Sequence, residues 1–152
     1  MPGESHCSPR DIQRYLGRIS GPLLDRIDLH IEVPSVKFKD ITSVRNGEPS
    51  VDIRTRVVAA RRRQHDRFRG RSRTSCNARM SNREIKANCA LDDATLEMLK
   101  IAMSDLGLSA RAYDRILKVA RTVADLAGAV RIQADHVAEA VQYRTLDRQI
   151  WG

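Results

Sequence analysis

Two arginines occupy positions from which this chain could do chemistry. Arg26 lies in the run Leu23-Leu24-Asp25-Arg26-Ile27-Asp28, between two carboxylates, and leads into alternating Leu29, Ile31 and Val33. Its planar, permanently charged fork can take two phosphate oxygens at once, which is what stabilising a phosphoryl-transfer transition state requires. Asp25 and Asp28 are spaced to orient it. On residue types alone, the same trio is more often a surface ion pair in a turn. Arg111 is the second case. If Ser109 caps a helix, Arg111 stands in the first turn, where a cation faces the positive end of the dipole and costs about a few tenths of a kcal/mol unless an anion is bound. Free N–H groups beside a guanidinium make a phosphate site. Arg115 and Lys118 follow on the same helical face, where a solvated stripe is the competing reading.

Other reactive residues carry less. Cys7, Cys76 and Cys89 are odd in number, widely spaced and never CxxC, which argues for reduced thiols rather than a disulfide framework or a zinc site. Cys7, preceded by His6, cannot hold a metal alone, so no metal site is expected, and Cys89 between apolar neighbours reads as core. His30, His65 and His136 have neither nucleophile nor ligand spacing. The sequence contains no GxxxxGK[ST] and no apolar strand ending in Asp-Glu, so the usual phosphate cradle and magnesium carboxylate are both missing. Alone, the chain is not expected to hydrolyse ATP.

The elements that must position these residues fall into two parts. Ser8-Pro9-Arg10-Asp11 supplies a cap, a first-turn proline and a dipole-matched acid for a helix of about three turns. Ser20-Gly21-Pro22 breaks it, a short turn follows, and Leu29 to Val33 alternate as a strand should before Pro34 closes it. Residues 35–49, with Asn46-Gly47, read as a linker. From Ser50 the pattern is helical: a first helix with Val51, Val57, Val58 and Ala60 on its inner side, a short one opened by the capping box Ser81-Asn82-Arg83-Glu84, and one capped by Asp92 and stopped by Gly107. A long one from Ala110 to Gly128 and a last one from Ala134 towards Leu146 follow. The expectation is a mainly α protein: a helical bundle over 50–148 with a tail at 149–152, preceded by an isolated remnant of an α/β core over 1–34. A single strand cannot satisfy its backbone in a core, so the rest of its sheet is expected outside this chain, and residues before Ser50 are expected to pack loosely.

Charge adds one more feature. Of 152 residues, 41% are hydrophobic and 30% charged, which suits one globular core, and the formal net charge is +8. Arginines crowd between Arg54 and Arg73, as either a solvated helix face or a nucleic-acid patch. With only Phe68 among them, a stacking platform for single strands is not supported. No apolar run approaches the roughly 18 residues of a membrane span, and the polar start has no signal-peptide core, so a cytoplasmic chain without membrane contact is expected.

The runs "CSPRDIQRYLGRISGPLLDRIDLHIEVP", "SCNARMSNREIKANCALDD", "LGLSARAYDRILKVARTVADLAG" and "IQADHVAEAVQYRTLDR" together resemble the C-terminal third of the ComM/YifB group of magnesium-chelatase-like AAA+ ATPases. The resemblance covers nearly the whole chain, in order. It implies that residues 1–34 end the ATPase core and that the bundle is its helical lid. It implies that Arg26 is an arginine finger, with Asp25 beside it, reaching the ATP of a neighbouring subunit. It further implies that Arg111 is the sensor-2 arginine; Arg115, taken as a second nucleotide-facing residue, rests instead on its place in the cationic stripe one turn on. ATP and Mg²⁺ would serve the full-length parent and neither is expected on the fragment. The implied partners are the missing core, neighbouring subunits of a homo-hexamer, and DNA undergoing branch migration in transformation and recombination. A stand-alone basic nucleic-acid module and a chelatase subunit for metal insertion are the alternatives. The family's cysteine-rich loop before "CSPRDI" is missing here, leaving Cys7 as a possible remnant of a zinc knuckle.

Overall fold

The computed structural model describes residues 8–18, 23, 26–31, 33–36, 38, 47–70 and 74–144. Among them the chain is mainly helical and contains no β-strand. Helix α1 (Pro9–Leu16) starts as its sequence predicts, with the Ser8 hydroxyl accepting from the Asp11 N–H and the Asp11 carboxylate returning the bond. After residues 35–49 come α2 (Ser50–Arg67), a 3₁₀ turn (Asn77–Arg79), α3 (Asn82–Asn88), α4 (Asp93–Asp105), α5 (Ala110–Leu126) and α6 (Ala134–Gln142). The capping box of α3 is formed: the Glu84 carboxylate accepts from the Ser81 N–H at 2.9 Å. Asp92 caps α4 by accepting from the Thr95 N–H at 2.7 Å. Gly107 and Gly128 end their helices at φ 61° and 75°, a region that costs a residue with a Cβ about 1–2 kcal/mol.

Helix α5 is the axis of the bundle. It packs against α6, the second half of α2, α3 and the 3₁₀ turn, while α4 closes on α6. Ile116, Leu117, Ala120 and Ala124 of α5 are buried with Leu99, Val137, Ala140 and Phe68 in one core. Ala112, Ala120 and Ala124 on the inner face of α5 let its neighbours come close, and Ile116 and Leu117 in its middle fill the volume between helices.

Two expectations need correcting. Leu29, His30, Ile31 and Val33 form no strand: no second strand stands beside them among the described residues, and the His30 N–H instead donates to the Tyr143 carbonyl at the end of α6, at 2.8 Å. On α2, Ala60 is buried, but Val51, Val57 and Val58 are 66%, 45% and 40% exposed. The apolar spacing is helical, yet only the C-terminal half of α2 rests on α5, so the first turns carry their valines past the bundle. The last helix stops at Gln142, followed by a turn through Arg144. Cys7, Asp25, Arg71, Arg73 and the 149–152 tail lie outside the described residues.

Candidate nucleotide-sensing arginines

Ser109 caps α5 as expected: its hydroxyl accepts from the Ala112 N–H at 3.3 Å. Arg111 therefore stands in the first turn, and it is exposed. The first turn thus holds both helix N–H groups at the positive dipole end and an exposed arginine, which suits a phosphate oxygen. Arg115, one turn on, has a different neighbour. It forms an ion pair with Asp28, from the segment that follows Arg26. Lys118, the next residue along that face, donates to the Ala78 carbonyl at 3.1 Å.

Arg26 sits in a turn closed by its own N–H, which donates to the Leu23 carbonyl at 3.0 Å, and its side chain is exposed. The residues just after it are tied to the bundle by three bonds, one to α5 and two to the end of α6. Asp28 meets Arg115 of α5, the His30 N–H reaches the Tyr143 carbonyl, and buried Arg144 donates to the Ile27 carbonyl. The segment expected to pack loosely is bonded to the bundle at Ile27, Asp28 and His30. Leu29 and Ile31 remain 46% and 66% exposed.

The arginine-rich stretch divides into two groups. Arg54, Arg61 and Arg62 are exposed, Arg56 pairs with Glu48, and Arg69 pairs with Asp66. Arg67 turns inward instead, and Arg63, though exposed, reaches the same helix. The fully buried Asp125 receives two bonds from Arg67, at 2.7 and 2.5 Å, one from Asn77 Nδ2 at 2.8 Å, and lies 3.0 Å from Arg121. Arg121 also donates to the Ala129 and Val130 carbonyls at 2.7 and 2.9 Å, and Arg63 donates to the Asp125 carbonyl at 3.2 Å. The Asn77 N–H donates to the side-chain oxygen of Gln64 at 3.2 Å. Burial by itself would raise the Asp125 pKa, but bonds from Arg67 and Asn77 and the charges of Arg121 and Arg67 outweigh it, and the carboxyl is held below its ordinary range. Sequence reading missed this hub, although Arg121 and Asp125 interrupt the apolar face of α5 four residues apart, which was the available signal.

Cys89 is buried as expected, and burial pushes its thiol up to about 11. The buried His136 caps its own helix, with Nδ1 accepting from the Gln133 N–H at 3.0 Å. No described helix is long and apolar enough to cross a membrane. For ATP and Mg²⁺, the exposed Arg111 at a capped helix start fits a phosphate contact, and the sequence holds no glycine-rich cradle.

Comparison with known proteins agrees with this division. The family model described as magnesium chelatase, subunit ChlI C-terminal, matches residues 47–144, and that of magnesium chelatase, subunit ChlI, matches residues 1–41. The chain is 44% identical over 145 residues to competence protein ComM of Haemophilus influenzae, covering 95% of this chain and 28% of that protein. It is 41% identical to the YifB proteins of Salmonella typhimurium and Escherichia coli, again covering 95% of the chain and 28% of each. The chain thus spans a little over a quarter of the length of these relatives. With one model matched over the whole bundle and a second over the segment before it, the chain belongs to the magnesium chelatase ChlI family, whose C-terminal helical domain it carries.

Proposed function

We propose that this chain works as the lid-bearing C-terminal part of a ring-forming AAA+ ATPase. In this reading Arg26, with Asp25 beside it, completes the ATP site of a neighbouring subunit, and Arg111 reaches the γ-phosphate of its own. The observation that carries the reading is Arg111: an exposed guanidinium in the first turn of a Ser109-capped helix is unfavourable without an anion and favourable with one. The order of the two family matches supports the assignment of Arg26, because residues 1–41 match the magnesium chelatase ChlI subunit model and 47–144 its C-terminal domain.

The motor's proposed substrate is DNA, since one relative is named a competence protein. A homo-hexamer in the cytoplasm is the proposed working form. A free-standing basic module is the weaker reading, because Arg63 and Arg67 are committed to Asp125 and its backbone.

The test is Arg26→Ala in the full-length ATPase, assayed for ATP binding and for turnover with and without duplex DNA. Binding should persist while turnover falls by a factor on the order of 10³ or more, as loss of an arginine finger does. Unchanged turnover would remove Arg26 from the site, and turnover indifferent to DNA would remove DNA from the reading.

A further inference from the structure

The ion pair between Asp28 and Arg115 joins two parts of the chain that the proposed function assigns to different ATP sites. Arg26 is two residues from Asp28, at most about 7 Å of chain. Arg111 is four residues from Arg115, about 6 Å along a rigid helix. The pair therefore sits within roughly one helical turn of both functional arginines. It is not alone: Arg144 holds the Ile27 carbonyl and the Tyr143 carbonyl holds the His30 N–H, so residues on either side of Asp28 are pinned to the end of α6.

We propose that Arg115 is a positioning residue: with Asp28 it straps the turn carrying Arg26 onto the helix carrying Arg111, so that the two arginines move as one body. The inference rests on the reading of Arg26 and Arg111 given above and adds the regulation of that same machinery. When the first turn of α5 shifts toward a γ-phosphate, the strap carries the shift to the arginine serving the next subunit. Occupancy of one ATP site thereby sets the readiness of its neighbour.

The partners' exposure suits this role. The Arg115 side chain is 28% exposed and that of Asp28 49%, so the pair is open enough to contribute little to folding stability. Its consequence is geometric, because a misplacement of about 1 Å in a catalytic group can cost roughly 10²-fold in rate. A groove beneath the segment, lined by Leu29, Ile31, Val119, Val123 and Tyr143, leaves room for it to shift once released.

Two experiments test the proposal. In this chain alone, amide exchange at His30 should quicken about two- to fivefold in Arg115→Ala and Asp28→Ala, with unchanged circular dichroism. Unchanged exchange would mean the pair holds nothing in place. In the full-length ATPase, Arg115→Ala should lower turnover about tenfold or more while leaving the Kd of a fluorescent ATP analogue within about twofold. The exchanged pair Asp28→Arg with Arg115→Asp should restore most of the turnover, as should Arg115→Lys. A weakened Kd without rescue would make Arg115 a nucleotide contact instead, and normal turnover would overturn the strap. Arg26→Ala separates the two ideas: if it abolishes turnover while Arg115→Ala does not, only the strap fails, and if it leaves turnover intact, the finger fails and the strap's purpose with it.

Discussion

Replacing Asp125 with alanine should come close to unfolding the bundle. The carboxylate is fully buried and is the shared counter-charge of Arg67 and Arg121, the latter only 3% exposed. Its removal leaves a buried guanidinium uncompensated and takes an acceptor from Asn77, and breaking such a group by deleting one partner costs about 3–5 kcal/mol. The matched domain of residues 47–144 is close to 100 residues, for which total stability is about 5–15 kcal/mol and each kcal/mol shifts Tm by roughly 4–8 °C. A Tm loss of at least about 12 °C is therefore expected in circular-dichroism melts, with a matching fall in urea midpoint. The same carboxylate sets an acid limit. Its folded pKa lies below the ordinary 3.8, so its contribution is fully present above about pH 4 and is lost as pH falls through the lower folded value. Stability of the native sequence should fall in that window, and Asp125→Asn should lack this part of the decline. A Tm loss under about 4 °C in Asp125→Ala would refute the hub as a desolvated charge cluster.

Two smaller tests follow from local geometry. Gly128 and Gly70 both have positive φ, but a Cβ at Gly128 would come within 3.2 Å of Arg63 Nη2 whereas one at Gly70 meets open space. Both alanine variants should lose about 1 kcal/mol from backbone strain, and Gly128→Ala should lose measurably more in urea titrations; equal losses would deny Arg63 its close seat on α5. Cys89, with its thiol raised to about 11 from 9.0, holds about a hundredth of the ordinary thiolate at pH 8. In a background where Cys7 and Cys76 are serine, its alkylation should be at least about 100-fold slower than in urea, and comparable rates would mean the thiol is not buried.

What could be read from the sequence was local, and what could not was long-range. Ser8, Glu84, Asp92 and Ser109 announce helix starts through bonds that span three residues, and Gly107 and Gly128 announce stops through one backbone angle, so each element boundary was encoded where it occurs. The valines of α2 failed as core markers because helical spacing says which residues share a face but not how far the neighbouring helix extends. Leu29, Ile31 and Val33 failed as a strand for a related reason: alternation describes a surface for pairing, and only another strand can turn it into a ladder. Charge was the hardest to apportion. Arg63 and Arg67 look identical to Arg61 and Arg62 in the sequence, yet Arg67 binds the buried Asp125 carboxylate 58 positions away, Arg63 donates to the Asp125 backbone carbonyl, and Arg61 and Arg62 face water. The pairing of Arg115 with Asp28, 87 positions apart, is of the same kind. A guanidinium stays charged wherever it goes, so its own identity does not say whether it will meet phosphate, carboxylate or solvent; the helix that carries it decides. In this chain that helix is α5, which holds Arg111 out at its capped start, turns Arg115 toward the Arg26 segment, and buries Arg121 against Asp125. One face of one helix thus spends successive turns on a candidate phosphate contact and on the strap beneath the proposed finger, while its inner face anchors the fold. A rotation of α5 large enough to move Arg111 would disturb the pair at Asp28 before it disturbed the hub at Asp125, because the pair is partly exposed and the hub is not.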